Sequence, residues 1–216
     1  MISGARAGRR GGLLCAEVAS SPHILDVGCG RRKTPGAVGV DHDPKTDADI
    51  IHDLDRFPWP FENDAFDRII CSHILEHLDD VVGTMKELHR IARSGGRILI
   101  LTPHYTNRCS YADPTHRHHF SVQAFDPFVI SELPKWNFWQ RVLHRVVFFF
   151  LEYWGVCPQL TPEARFRKVS QRLQFSRIFR WMGVEAWANR YPLIYEYYAA
   201  FVFPARDIAL ELEAVK

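Results

Sequence analysis

The chain has little net charge: 27 lysines and arginines against 25 aspartates and glutamates leave +2 over 216 residues. A phosphate backbone calls for a concentrated basic surface, so nucleic acid is a disfavoured partner. Cysteine is scarce, and the five present, at 15, 29, 71, 109 and 157, never fall in a C-x-x-C spacing. That excludes a disulfide framework or a zinc ribbon, and the odd count suits free thiols in a reducing, cytoplasmic setting. Long apolar runs are missing as well. None approaches the roughly 18 residues that would cross a bilayer, and Val146 to Leu151 is only a short strand-like burst. Met1 to Gly12 holds three arginines and four glycines but no apolar stretch of signal-peptide length. Residues 1–22 are therefore expected to be a flexible tail ahead of one domain, 23–216. Repeats and low-complexity tracts are also absent. At 47% hydrophobic residues, the chain can bury one sizeable core.

What is present begins at His23. Ile24 to Val27 reads as a buried parallel strand, and Gly28 and Gly30 let the backbone turn and approach a ligand closely. A second apolar run ends in Asp41, placed to accept hydrogen bonds from two ribose hydroxyls. A dinucleotide fingerprint needs a further glycine where this chain has Lys33, so NAD or FAD, and with them a dinucleotide-dependent oxidoreductase, are disfavoured. Arg31 to Ala37, with Pro35 and Gly36, is too short for a crossover helix and predicts a loop. Within it, Arg31-Arg32-Lys33 is expected to face water rather than a ligand carboxylate.

Further on, Asp79-Asp80 can cap a helix with apolar positions Val82, Met85, Leu88, Ile91 and Ala92, stopped by Gly95 and Gly96. Ile98 to Leu101 follows as a strand, so the order implies a right-handed crossover and a parallel sheet. A ligand then lies over the carboxyl ends of strands starting near Ile24, Val38, Ile69 and Ile98. Asn137 to Phe150 could add a sixth strand, and the alternation of Ile208, Leu210 and Leu212 a closing one. Between them, 152–206 is expected to be a helical insertion. Phe166, Val169, Leu173, Phe175, Ile178 and Phe179 recur there at helical steps among arginines, followed by an aromatic-rich stretch to Pro204. The insertion can be core, a lid over the ligand, or a membrane-facing patch of aromatic and basic residues.

The pattern Asp26-x-Gly28-x-Gly30 resembles motif I of class I S-adenosylmethionine (SAM) dependent methyltransferases, and five further segments follow in that family's order. They are Gly39-Val40-Asp41, Ile51-His52-Asp53-Leu54, the Pro60-Phe61 to Phe66-Asp67 lead into a strand, Ile69 to Leu78, and Arg93 to Ile100. The resemblance implies a Rossmann-like, doubly wound, mostly parallel sheet of about seven strands, and SAM as cofactor. By position it implies SAM contacts from Asp26, Gly28, Cys29 and Gly30; from Asp41 and His42 after the second strand; from Asp53 and Leu54 around adenine; and from Cys71 and Ser72. The activity implied is methyl transfer to oxygen on a small-molecule, glycan or lipid-linked acceptor. The alternative is a SAM-binding scaffold without turnover.

Methyl transfer to a hydroxyl needs alignment and a proton acceptor. Two clusters supply imidazoles: His73, Glu76 and His77 past the fourth strand, and His104-Tyr105 with Asp113-Pro114-Thr115-His116 past the fifth. His104, His116 and His73 are the candidate catalytic residues. The second cluster also has metal-binding chemistry, but no H-E-x-x-H spacing occurs, so no metal ligand is assigned. Thr102-Pro103-His104-Tyr105 looks like the (N/D)-P-P-(Y/F) tetrad of nucleic-acid amino-methyltransferases, yet it follows the wrong strand and lacks the second proline.

Overall fold

The computed structural model describes residues 23–130 and 164–216. Seven strands form one sheet in the order β3-β2-β1-β4-β5-β7-β6, with β1 Ile24–Val27, β2 Val38–Asp41, β3 Ile50–Ile51, β4 Phe66–Ser72, β5 Ala92–Pro103, β6 Phe166–Gln174 and β7 Asp207–Ala214. Strands β1 to β5 pair in parallel, while β7 runs antiparallel to both β5 and β6. The strand order reverses between β1 and β4, which is where a doubly wound sheet opens a crevice at its carboxyl edge. The strands are apolar because they are buried: Leu25, Ile69, Cys71, Ile98, Ile100, Leu210 and Leu212 are closed to solvent.

Between β1 and β2 there is no helix, as the short Arg31–Ala37 segment predicts. Asp26, itself buried, holds that loop by accepting from the Thr34 amide at 2.7 Å. Arg31 and Arg32 are exposed, and the Lys33 ammonium bonds both oxygens of Asp49 at 2.7 Å. Helix α1, Val81–Ile91, buries Met85, Leu88 and Ile91, and Asp80 Oδ1 accepts from the Gly83 amide at 2.8 Å to cap it. Gly95 and Gly96 do not end this helix. It stops at Ile91, and the glycines fall within β5, where the register jumps from Phe66↔Ala92 to Arg68↔Arg97 and Gly95 takes φ +78°.

Residues 166–174 correct the expected helix: they are β6, the partner of the closing strand β7. The register shifts between Lys168 and Ser170, so Phe166 and Leu173 both face inward although seven residues apart. One extra residue in a period-two pattern yields spacings of three and four, which mimic a helix. The insertion among described residues is therefore 175–206, after β6. It carries three short helices, α3 Arg177–Trp181, α4 Val184–Arg190 and α5 Pro192–Tyr198. The tail 1–22, the strand expected at Asn137–Phe150 and residues 152–163 of the expected insertion lie outside the described residues. Among the described residues no helix is long and apolar enough to cross a membrane. A short helix after β5, α2 Arg108–Ala112, is capped by Asn107.

Candidate active site

Two cavities open at the carboxyl edge of the sheet. The first, about 760 Å³, is walled by Gly28, Asp41, His42, Asp53, Leu54 and Ile74, among others. Gly28 and Gly30 adopt φ of +66° and +55°, the left-handed region that glycine enters without strain. The Gly28 amide donates to the Val40 carbonyl at 2.8 Å, tying the β1 turn to β2. A Cβ on Gly28 would lie 2.6 Å from the Ile74 side chain, so this glycine makes room for the residue after His73. Asp41 is buried; one carboxylate oxygen accepts from the Gly30 amide and the other from the Asp43 amide, each at 3.0 Å. Each oxygen keeps a lone pair for a further donor.

The second cavity, about 730 Å³, is walled by His73, Glu76, His77, Asp113, His116 and Asp207, with Pro103, Asn107, Cys109 and Arg206 beside them. His73, His77 and Pro114 border both spaces, so the cavities meet along this wall. His73 follows β4 directly and adopts φ +54°, unusual for a residue with a side chain and frequent at functional positions. Its amide donates to the Leu101 carbonyl at 2.8 Å, and its Nδ1 donates to Glu76 Oε1 at 3.2 Å. That bond raises the His73 pKa above the usual imidazole value, against a smaller opposing effect of burial. Glu76 is 1% exposed, and its other oxygen accepts from the Thr102 hydroxyl at 3.0 Å. Burial holds the Asp207 carboxyl above its ordinary range.

The loop 113–119 reaches the same wall because the Arg117 amide donates to the Glu76 carbonyl at 2.7 Å. His116 stacks edge-on against His77 with ring centroids 4.6 Å apart. His104 goes elsewhere. It is fully buried, borders neither cavity, and has both ring nitrogens bonded, Nδ1 to the Thr106 hydroxyl at 2.7 Å and Nε2 to Glu196 on α5 at 2.9 Å.

The expected cofactor residues divide in the same way. Gly28, Asp41, His42, Asp53 and Leu54 border the first cavity. Asp26, Cys29, Gly30, Cys71 and Ser72 support that edge without bordering it. Burial pushes the Cys29 thiol up to about 11, with the Asp26 and Asp41 charges adding to the rise, and burial also drives the Cys71 thiol up. Glu76 and His77 border the second cavity beside His73, in the turn already noted for its imidazoles. Arg206 and Asp207, about 130 residues downstream, had no local signal; the β5–β7 pairing delivers them by placing Asp207 opposite Pro103.

Residues 9–139 match a family of sequences described as a methyltransferase domain. No curated protein matches the chain. Among solved structures, the fold is similar to a SAM-dependent methyltransferase from Archaeoglobus fulgidus, at 19% identity over 90% of this chain and 86% of that one, with a TM-score of 0.50. An S-adenosylmethionine-dependent methyltransferase from Mesorhizobium loti matches at 14% identity over 89% of this chain and 90% of its own, with a TM-score of 0.49.

Proposed function

Because the chain belongs to the methyltransferase-domain family, and its cofactor is S-adenosylmethionine, we propose that the cavity at Gly28 and Asp41 holds this donor and the cavity at His73 and His116 holds a hydroxyl acceptor. The observation that carries the reading is the shared wall: two spaces of ligand size meet at one strained histidine. The donor cavity suits the group. Asp41 retains lone pairs for the ribose hydroxyls, Leu54 offers an apolar face and Asp53 a carboxylate near the adenine end, and Gly28 lets the backbone come close. When bound, SAM supplies an electrophilic methyl carbon on a sulfonium.

The rest falls to the chain's own residues. His73 takes the proton of the acceptor hydroxyl at Nε2, because Glu76 holds its Nδ1–H and fixes that tautomer. The Glu76 carboxylate, kept in place by Thr102, aligns the ring. His104 is a positioning residue: through Glu196, which also accepts from the Val122 amide at 2.8 Å, it ties α5 to the end of β5.

A lipid-linked acceptor is favoured over a soluble one by a specific feature of the insertion. Trp181 and Phe201 are 88% and 81% exposed, with Ile178, Met182, Tyr198 and Val202 also open and Arg177 and Arg180 among them. Such a mixture suits a peripheral contact with anionic lipid headgroups. Phe201 packs edge-on against Tyr105 at 5.8 Å, two residues before Asn107 on the acceptor cavity, so the patch adjoins the segment that lines this cavity.

The test supplies SAM carrying a labelled methyl group together with aqueous and lipid extracts. Label should enter the lipid fraction, and His73→Gln should lower turnover by about 10² to 10⁴, far more than any change in donor affinity. Label confined to the aqueous fraction would shift the acceptor to a small molecule or glycan. Full turnover in His73→Gln would remove it as the base.

A further inference from the structure

Glu76, His77 and His116 form a group in which one ligand-capable atom from each residue lies within 4.8 Å of the other two, on the wall of the acceptor cavity. The hydrogen bonds around them determine which imidazole nitrogens are left over. His116 Nδ1 lies 3.0 Å from the Ser110 carbonyl, which can only accept, so this nitrogen carries the proton and Nε2 keeps its lone pair. His77 Nδ1 lies 3.0 Å from the Thr115 hydroxyl, whose own proton goes to Asp113 Oδ1 at 2.6 Å. The hydroxyl must therefore accept from Nδ1–H, and His77 too keeps its lone pair on Nε2.

Two histidines in one cluster, each with its far nitrogen tied to a carbonyl or to a hydroxyl–carboxylate relay, is how proteins orient imidazole ligands for a metal. The Asp113 end of the relay accepts from both the hydroxyl and the amide of Thr115 on one carboxylate oxygen. The third member, Glu76, is buried, with Oε2 fixed by Thr102 and Oε1 accepting from His73 Nδ1–H, which leaves Oε1 a further lone pair. Both imidazoles share one tautomer, and His116 Nε2 has Asp113 Oδ2 at 4.0 Å, beyond hydrogen-bonding distance.

We propose that Glu76, His77 and His116 bind one divalent first-row transition ion, with open coordination positions facing the acceptor cavity. Two imidazoles and a carboxylate suit zinc, iron, cobalt or nickel better than magnesium or calcium, which prefer all-oxygen sites. The ion would coordinate the acceptor oxygen, lower the pKa of its hydroxyl and set its direction toward the donor cavity. This role rests on reading that cavity as the acceptor site; the binding of the ion itself does not.

The site is tested on the full chain, stripped with a chelator and titrated with Co²⁺, whose visible ligand-field absorption reports coordination directly, and with Zn²⁺ by calorimetry. One equivalent should bind, His77→Ala and His116→Ala should each abolish the absorption, and Thr115→Val should weaken affinity about 10- to 100-fold through loss of the relay. His118→Ala, whose Nε2 is engaged by the Asp79 carbonyl at 3.3 Å, should bind as the parent does. A cooperative thermal unfolding transition identifies variants that are folded, since His77 also borders the donor cavity, and should Ala at either position fail this check, His77→Gln and His116→Gln replace them. Cobalt and zinc binding no weaker in the His77 and His116 variants than in the parent, or no binding by the parent, would overturn the proposal. Transfer of label that persists in the stripped enzyme would leave the methyltransferase reading intact while removing the ion from catalysis. Stoichiometric metal binding without transfer would do the reverse.

Discussion

Asp41→Ala gives the sharpest test of how the donor is held. The carboxylate is buried at the end of β2, where a hydrogen bond to a charged acceptor is worth roughly 1.5 to 3 kcal/mol. At about 1.4 kcal/mol per decade, its removal should weaken SAM roughly 10- to 150-fold. The same carboxylate also receives the Gly30 and Asp43 amides, so some of the loss would come from loosening the glycine turn. Asp41→Asn separates the two contributions, because it keeps an acceptor for Gly30 while losing the charge. It should lower donor affinity almost as much as Ala does, yet lower the melting temperature of the free protein less. Calorimetry with SAM and with S-adenosylhomocysteine supplies an internal control, since both carry the same ribose and should lose affinity equally. A folded Asp41→Ala protein that binds within twofold of the parent would refute the placement of the ribose. A loss seen for SAM but not for S-adenosylhomocysteine would refute it equally, by assigning Asp41 to the methionine sulfonium instead.

Three other substitutions probe the rest of the cleft. Gly28→Ala should cost about 1 to 2 kcal/mol from the left-handed backbone alone, and Gly28→Ala/Ile74→Ala should relieve the contact with Ile74 while keeping that strain, as thermal unfolding will show. His104→Ala leaves the Glu196 carboxylate short of a partner in a buried place and should lower stability by about 1 to 3 kcal/mol, with donor affinity nearly unchanged; unchanged stability would contradict its role in holding α5. Alkylation should reach the exposed Cys109 on the acceptor cavity well before the buried Cys29 and Cys71, blocking turnover but not SAM binding, and peptide mapping by mass spectrometry will give the order.

The cavity proposed for the donor was legible because its residues are local. A strand, two glycines and an acid at the end of the next strand lie within 19 residues, and each has a backbone or hydrogen-bonding reason to be where it is. The cavity proposed for the acceptor assembles from distant segments. His73, Glu76 and His77 sit in one turn, but His116 reaches them only because the Glu76 carbonyl anchors the 113–119 loop, and Arg206 and Asp207 arrive through an antiparallel pairing. His104 looked as suitable as His116 because both follow a ligand-facing strand. What distinguishes them is Glu196, a residue 92 positions away that claims the His104 ring. The helix expected at 166–174 failed for a similar reason: a bulge whose position depends on pairing with β7 disguised a strand's alternation as a helix's.

Whether the donor and acceptor spaces meet at His73 is decided by a crystal structure of the chain with S-adenosylhomocysteine. The ribose hydroxyls should lie on Asp41 and the adenine beside Asp53 and Leu54, with the sulfur directed at the wall formed by His73 and His77. A ligand bound away from Asp41, or one whose sulfur faces away from His73, would contradict this arrangement.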